Sequence, residues 1–138
     1  MKPILRNILA VVVGWLAGSA VNMGLVQTGH KLFPIMGIDP NDMSALAAIM
    51  PTLDFKYFIF PFLAHAFGTL TGALIAGLIA VSHKMIFSLS IGVLFLIGGI
   101  VVNYMLPGPT WFAVTDIILA YLPMAWLGGK IALKISGK

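Results

Sequence analysis

The chain has no cysteine, which excludes disulfides, thiolate metal sites and disulfide-exchange chemistry in its 138 residues. Charged residues are also scarce, at 9% of the total, and the four acidic residues are all aspartates. The sequence contains no phosphate-binding glycine-rich loop of recognised form, no Gly-x-Ser-x-Gly elbow and no paired carboxylates within an apolar segment. An enzyme is therefore not favoured, and no cofactor is identified.

Long apolar segments, by contrast, take up most of the chain. Each contains about 20 or more largely uncharged residues, enough at about 1.5 Å per residue to cross a hydrocarbon layer about 30 Å thick. Hydrophobic residues make up 60% of the sequence and the mean hydropathy is +1.06, which is more apolar than a soluble protein of this size could bury. We therefore predict an all-α integral membrane protein with four transmembrane helices, at residues 4–26, 57–81, 86–106 and 111–135.

The connections between the last three segments are short. Residues 82–85 join the second and third segments, and Pro107-Gly108-Pro109 forms a rigid turn between the third and fourth. Helices joined in this way are antiparallel neighbours, so we expect an antiparallel four-helix bundle. Because no linker rich in serine, glycine or charge separates the segments, residues 1–138 should form one domain.

Positive charges are distributed unevenly between the two sides of this four-pass arrangement. One side carries Lys2, Arg6, Lys84, Lys130, Lys134 and Lys138, and the other carries Lys31 and Lys56 beside Asp39, Asp42 and Asp54. By the positive-inside rule both termini are cytoplasmic, and we expect the membrane to be a bacterial inner membrane. Since the basic residues form no single patch, the net charge of +4 does not indicate a nucleic-acid partner.

The first apolar segment has one competing interpretation. Lys2 and Arg6, followed by an apolar run and then Gly18-Ser19-Ala20, also fit a secretory signal with a small-residue cleavage site. The apolar run continues to Val26, beyond the length that such a signal needs. We therefore predict that this segment is kept as the first transmembrane helix.

The only long connection, residues 27–56, contains a predicted interfacial helix. Asp39 can cap a helix N-terminus, and Pro40 suits a first helical turn. Apolar residues then recur at helical spacing as far as Met50. We expect a short amphipathic helix at about residues 40–50 that lies on the outer membrane surface, either as a plain connector or as a lid.

Two pairs of glycines spaced four residues apart indicate where helices pack closely. They are Gly14 and Gly18 in the first segment and Gly68 and Gly72 in the second. Helices in lipid associate through close backbone approach, which small residues permit. We interpret the pairs as facing seams within the chain. Either pair would serve equally well between two copies, so a homo-oligomer or a partner subunit in a membrane complex is expected.

Polar side chains within the apolar segments are the best indicators of function, because burying them in hydrocarbon is costly. Asn22, His65, Asn103 and Asp116 come from four different segments, and Tyr121 lies near Asp116 in the fourth. From the helical rise, the first four lie about 5 to 12 Å below the outer ends of their helices. We therefore predict that His65 pairs with Asp116 and that the five residues form an outer-leaflet binding site.

Pro123, in the middle of the fourth segment, leaves the carbonyl of Leu119 without its usual hydrogen-bond donor. The sequence therefore predicts a kink close to Tyr121 and to the polar layer. A kink of this kind can widen a cavity, although kinks also occur in membrane helices that have no such role.

The polar residues allow other interpretations. Asp116 would also suit a helix cap at the wet interface, with His65 donating to a backbone carbonyl. Imidazole and thioether groups suit Cu(I), which makes His30, His65, Met23 and Met105 weak metal candidates. No close ligand spacing such as His-x-x-x-His occurs, so no metal site is predicted.

The function that fits these residues is a small-solute or ion translocator that acts as an oligomer and binds its cargo in the polar layer. The alternative is an accessory or structural subunit of a larger membrane complex, in which the same residues fix helix register. A membrane-embedded enzyme acting on a lipid, with His65 as a base oriented by Asp116, is less favoured because no nucleophile lies beside them. Copper handling is likewise less favoured.

Overall fold

A computed structural model describes residues 2–137 of the chain. Within that range the chain forms six α-helices and one short 3₁₀ turn, and it contains no strand. The helices are α1 (Pro3–Leu32), α2 (Met43–Ile49), α3 (Lys56–Ile79), α4 (Lys84–Met105), α5 (Thr110–Leu119) and α6 (Leu122–Ile135). The 3₁₀ turn, Met50–Thr52, directly follows α2.

Four helical stretches within residues 2–137 are long and apolar enough to cross a membrane. They are α1, α3, α4 and the stretch Thr110–Ile135, which α5 and α6 form together. The prediction of an all-helical chain with four such helices is therefore confirmed. The last three stretches begin and end within two residues of the predicted boundaries.

The first helix is longer than its apolar pattern indicates, because it ends at Leu32 rather than near residue 26. The residues after Val26 are more polar but compatible with a helix, and the next residue that stops a helix is Pro34. The length of an apolar run indicates how much of a helix can contact hydrocarbon. The helix itself continues until it meets a residue, such as proline, that stops it. Asn22 consequently lies about 15 Å from the end of α1 rather than about 6 Å.

The helix in the long connection begins later than predicted. Its N-cap is Asp42 rather than Asp39, and the Asp42 carboxylate accepts hydrogen bonds from the backbone N–H groups of Ser44 and Ala45 at 3.1 and 3.0 Å. Asp39 instead accepts from the backbone N–H of Asn41 at 2.9 Å, in a turn before the helix. Among the described residues, α2 packs extensively only with the 3₁₀ turn that follows it.

α3 lies at the centre of the structure and packs against α1, α4 and α6. Its seam with α1 is made of glycine on both sides. A Cβ added at Gly14 would lie 2.6 Å from the carbonyl oxygen of Gly72, and one at Gly18 would lie 2.5 Å from that of Gly68. Only glycine permits this backbone approach. Because the four glycines face one another inside one chain, contacts between copies would have to use other surfaces.

The fourth stretch is interrupted rather than merely bent. α5 ends at Leu119 and α6 begins at Leu122, with Ala120 and Tyr121 between them. Pro123 has no N–H to donate to the Leu119 carbonyl, and Tyr121 has non-helical backbone angles, with φ −115° and ψ −81°. The kink predicted from Pro123 is confirmed, and it takes the form of two separate helices.

The C-terminal end of α3 is closed by polar side chains from α4 and α1, a group that we call the Lys84 cap. The buried Lys84 ammonium donates to three backbone carbonyls. These belong to Gly77, Leu78 and Ala80, at 2.9, 3.2 and 2.8 Å. From α1, Arg6 Nε donates to the carbonyl of Ile79 at 2.8 Å, and Asn7 Oδ1 accepts from the N–H of Val81 at 3.0 Å. The last carbonyls of a helix lack intrahelical donors, so these bonds supply them.

Candidate functional site

Asp116 in α5 is the centre of a buried hydrogen-bonded cluster. Its side chain has no exposed surface, and His65 of α3 approaches with Nδ1 2.8 Å from Oδ1 and 3.0 Å from Oδ2. The Tyr121 hydroxyl donates to Oδ2 at 2.8 Å, and Asn103 Nδ2 donates to the same oxygen at 3.4 Å. A carboxylate in an apolar interior needs such partners to offset its lost hydration. We call these four residues the His65 network.

The hydrogen bonds determine which ring nitrogen of His65 is open. Nδ1 faces the Asp116 carboxylate and also lies 2.9 Å from the Tyr121 hydroxyl oxygen. Because a carboxylate only accepts hydrogen bonds, Nδ1 carries the proton in the neutral ring and Nε2 carries the lone pair. Within residues 2–137, Nε2 has no hydrogen-bond partner, and the His65 side chain keeps 13% of its surface exposed.

The interruption between α5 and α6 allows Asp116 and Tyr121 to meet. They are five positions apart in the sequence, and in an unbroken helix two residues at that spacing point about 140° apart. The non-helical backbone at Tyr121 removes that constraint, and the Tyr121 ring stacks on the His65 ring with centroids 5.6 Å apart. The break in the fourth stretch is therefore a condition for the network.

Gly99 of α4 makes room for the Tyr121 hydroxyl. A Cβ at this position would overlap the hydroxyl group, so only glycine fits. The carbonyl of Gly99 also accepts from Asn103 Nδ2 at 3.0 Å, one helical turn further along α4. This bond orients the Asn103 amide toward Asp116.

A cavity of about 300 Å³ adjoins the exposed side of His65, between α1, α3 and α4. Asp116 does not line the cavity, whereas His65 does. Nε2 has no hydrogen-bond partner among the described residues and is not one of their buried unpartnered atoms, so it is accessible on the exposed side of the ring. The lining residues on which the site depends are Trp15, Ser19, Asn22, Met23, His65, Phe95, Gly98, Gly99 and Tyr121.

The structure brings four of the five predicted binding residues into direct contact. Asn22 lines the cavity with His65 and Tyr121 but makes no hydrogen bond to the network. The alternative interpretation of Asp116 as a wet helix cap is wrong, because its side chain is fully buried and lies six residues after the start of α5.

The four weak metal candidates do not come together. His65 and Met23 both line the cavity, whereas His30 and Met105 are exposed and lie outside its lining. Within residues 2–137, no three histidine or acidic side chains are grouped closely enough to hold a metal ion.

Three residues of this region were not singled out from the sequence. Trp15 and Phe95 line the cavity, and Thr69 lies one turn along α3 from His65 with a buried hydroxyl that has no partner among the described residues. The available signals were aromatic residues placed well inside a segment, away from its ends, and the four-residue spacing between His65 and Thr69.

Comparison of the chain with protein-family models, curated proteins and solved structures finds no significant match. The function must therefore be inferred from the chemistry of the site, because a helical fold alone does not specify one.

Proposed function

We propose that the chain is a multi-pass membrane protein that binds a solute at the His65 network. The observation that supports this most strongly is the open Nε2 of His65 beside a cavity, while a buried carboxylate holds Nδ1. The carboxylate fixes both the orientation and the tautomer of the ring. A buried histidine that only packs usually has both nitrogens satisfied, whereas this one keeps an acceptor for a group outside the chain.

The site is suited to a solute that carries a hydrogen-bond donor. In the neutral ring, Nε2 accepts a hydrogen bond from a hydroxyl or ammonium group. When the ring takes up a proton, Nε2 becomes a donor and the Asp116 carboxylate balances the new charge. A proton and a solute donor would therefore use the same atom, Nε2.

In the proposed arrangement α1, α3, α4 and the α5–α6 pair each cross the membrane as an antiparallel bundle, and α2 lies at the outer interface. The positive-inside rule supports cytoplasmic termini, since Arg6 and Lys84 lie at one end and the aspartates of the long connection lie at the other. Three helices border the cavity, so a translocation path would be completed by a second copy. We therefore propose that the translocating form is an oligomer.

The proposal is tested by ¹⁵N NMR of the His65 ring in lipid nanodiscs. His30→Gln and His83→Asn leave one histidine to observe, and asparagine tolerates the left-handed backbone at position 83, where φ is 50°. We expect the neutral ring to be protonated on Nδ1, with the lone pair on Nε2. Asp116→Asn should abolish the preference for Nδ1–H. A neutral ring protonated on Nε2, or a tautomer preference that Asp116→Asn leaves unchanged, would refute the proposal.

A second candidate is an accessory subunit of a membrane complex, and the surface of α1 provides one observation for it. Ala20, Gly24 and Thr28 form an exposed small-residue strip, and a Cβ at Gly24 would meet nothing within 4 Å. A helix of another protein can approach such a strip closely. Mild purification followed by mass measurement separates the two candidates, since a partner of fixed stoichiometry favours the subunit and a homo-oligomer favours the translocator.

A further inference from the structure

The cavity beside His65 opens sideways, between α1 and α4. These two helices both pack on α3 and make few contacts with each other. Four side chains at the rim are exposed to a large extent. They are Trp15 (49%), Met23 (58%), Leu94 (43%) and Val102 (42%). In a four-pass protein the exposed flanks of α1 and α4 face lipid, so the opening leads to the bilayer and not to water.

The lining of the cavity combines a few polar groups with a larger apolar part. His65 Nε2 and the side chains of Asn22 and Ser19 provide the hydrogen-bonding groups, and no charged side chain belongs to the lining. The rings of Trp15 and Phe95 provide flat apolar surface. From Trp15 to Met23 the cavity follows α1 for about 12 Å. A ligand that matches this lining has a planar head with a hydrogen-bond donor and an apolar body.

We propose that the cavity binds a lipid-dissolved amphiphile of the phenol or hydroquinone class, which enters between α1 and α4 and donates its O–H to His65 Nε2. The volume of about 300 Å³ is at the lower end of the range for ligand pockets, which fits a head of one ring. This inference rests on the proposed function, because it names the ligand class for the same nitrogen.

The first experiment uses a matched pair of probes on the chain in nanodiscs, with the His65 Nε2 resonance as the readout. 4-Octylphenol carries the donor, and 4-octylanisole is the same molecule with the donor methylated. Both are compared at equal concentration in the lipid. We expect the phenol to shift Nε2 at a concentration at least about tenfold lower than the anisole, because the anisole leaves the site without its hydrogen bond.

The second experiment tests the lateral opening with a matched pair of variants. Gly98→Leu places a large side chain in the cavity rim on α4, and Gly24→Leu places the same side chain on the exposed face of α1 outside the lining. A Cβ at either glycine meets nothing within 4 Å, so both variants should fold. We expect Gly98→Leu to weaken 4-octylphenol binding by at least about tenfold and Gly24→Leu to leave it unchanged.

The outcomes separate this inference from the proposed function. Equal shifts from the two probes, or no shift from either, while the neutral ring stays protonated on Nδ1, overturn the phenol class and leave the binding site in place. A Gly98→Leu chain that binds as tightly as the parent overturns the lateral opening. A neutral His65 ring that is protonated on Nε2 overturns the proposed function together with this inference.

Discussion

The Lys84 cap and the His65 network both bury a charged group against α3, but they treat it differently. The three N–H donors of Lys84 are matched by three backbone carbonyls at the end of one helix. Asp116 is matched by side chains from α3, from α4 and from the break between α5 and α6, and the chief of these, His65, keeps one ring nitrogen beside a cavity. A charge matched to the backbone stabilises the fold, whereas in the proposed function the charge matched to side chains holds a ring nitrogen available to a ligand.

The largest effect is expected when the Lys84 cap is removed. Lys84→Met leaves three carbonyls at the C-terminal end of α3, including that of its C-cap Ala80, without this donor, so we expect the free energy of unfolding to fall by about 2 to 3 kcal/mol. Lys130→Met is the control, because Lys130 is exposed and its Nζ lies 5.3 Å from the centroid of the Trp126 ring. That control should lose at most about 1 kcal/mol. Equal losses in thermal unfolding would show that the cap is not structural.

The glycine seam links the two regions, since α1 carries Arg6 and Asn7 of the cap and also Asn22 of the cavity. Gly18→Ala should force α1 away from α3 and lower stability by about 1 to 3 kcal/mol. It should also shift the NMR signal of the His65 ring beside the cavity. Gly24→Ala faces open space and should be neutral or stabilising by up to about 1 kcal/mol. A Gly18→Ala chain as stable as this control would contradict the seam.

Removal of the Tyr121 hydroxyl should change both the stability of the chain and the tautomer of the His65 ring. Tyr121→Phe takes one donor from the Asp116 carboxylate, and we expect a loss of about 1 to 2 kcal/mol together with a change in the tautomer ratio of His65. Tyr104→Phe is the matched control at an exposed position on α4. Calorimetry and ring NMR measure the two effects. An unchanged tautomer ratio would mean that Tyr121 does not position His65.

Thr69 and Ser88 offer a finer contrast, because both hydroxyls are buried and only one is bonded. Ser88 Oγ donates to the carbonyl of Ala73 at 2.8 Å, whereas Thr69 Oγ1 has no partner among residues 2–137. Ser88→Ala should lose about 1 kcal/mol, and Thr69→Val should be neutral or stabilising by up to about 1 kcal/mol. If Thr69→Val lowers the free energy of unfolding in urea more than Ser88→Ala does, the Thr69 hydroxyl has a partner in the membrane-embedded protein.

The smallest effect is expected at Asp42, a cap that is fully exposed. Hydrogen bonds from the Ala45 N–H and from Ser44 hold the pKa of Asp42 below its ordinary value of 3.8. A lowered pKa means that the ionised cap stabilises α2 at neutral pH and that this contribution is lost as the pH falls below that ordinary value.

Hydrogen exchange at the Ser44 and Ala45 amides reports the loss of this cap. Exchange should become faster on acidification and in Asp42→Ala at neutral pH, while Asp39→Ala should leave these amides unchanged, since the Asp39 side chain bonds only to Asn41. Protection that survives in Asp42→Ala would assign the helix start to another residue.

The features that follow from local chemistry could be predicted from the sequence. The four helices follow from the lengths of apolar runs, and the break at Tyr121 follows from the missing N–H of Pro123. The choice between Asp39 and Asp42 could not be predicted, because both are followed by residues that suit a first turn and only the backbone conformation separates them. The same limit applies to the true end of α1.

The cavity and the Lys84 cap depend on tertiary geometry. In the sequence, Trp15 and Phe95 cannot be told apart from other apolar residues. They line a cavity only because α3 leaves facing surfaces of α1 and α4 uncovered. Lys84 was used only as a marker of membrane orientation. Its neighbours in the sequence do not reveal that its ammonium folds back onto the end of the preceding helix.

The two-residue gap at Ala120 and Tyr121 makes α5 a short lever that carries the only carboxylate of the network. α5 is anchored at its far end, where the rings of Trp111 and Phe112 pack on Phe55 and Phe58. Asp116 lies about 7.5 Å along the helix from Tyr121, so a tilt of α5 by about 10° about that point would displace it by about 1.3 Å, which is enough to break its 2.8 Å contact with His65 Nδ1. The packing of the aromatic anchor therefore also holds the Asp116 carboxylate against the His65 ring.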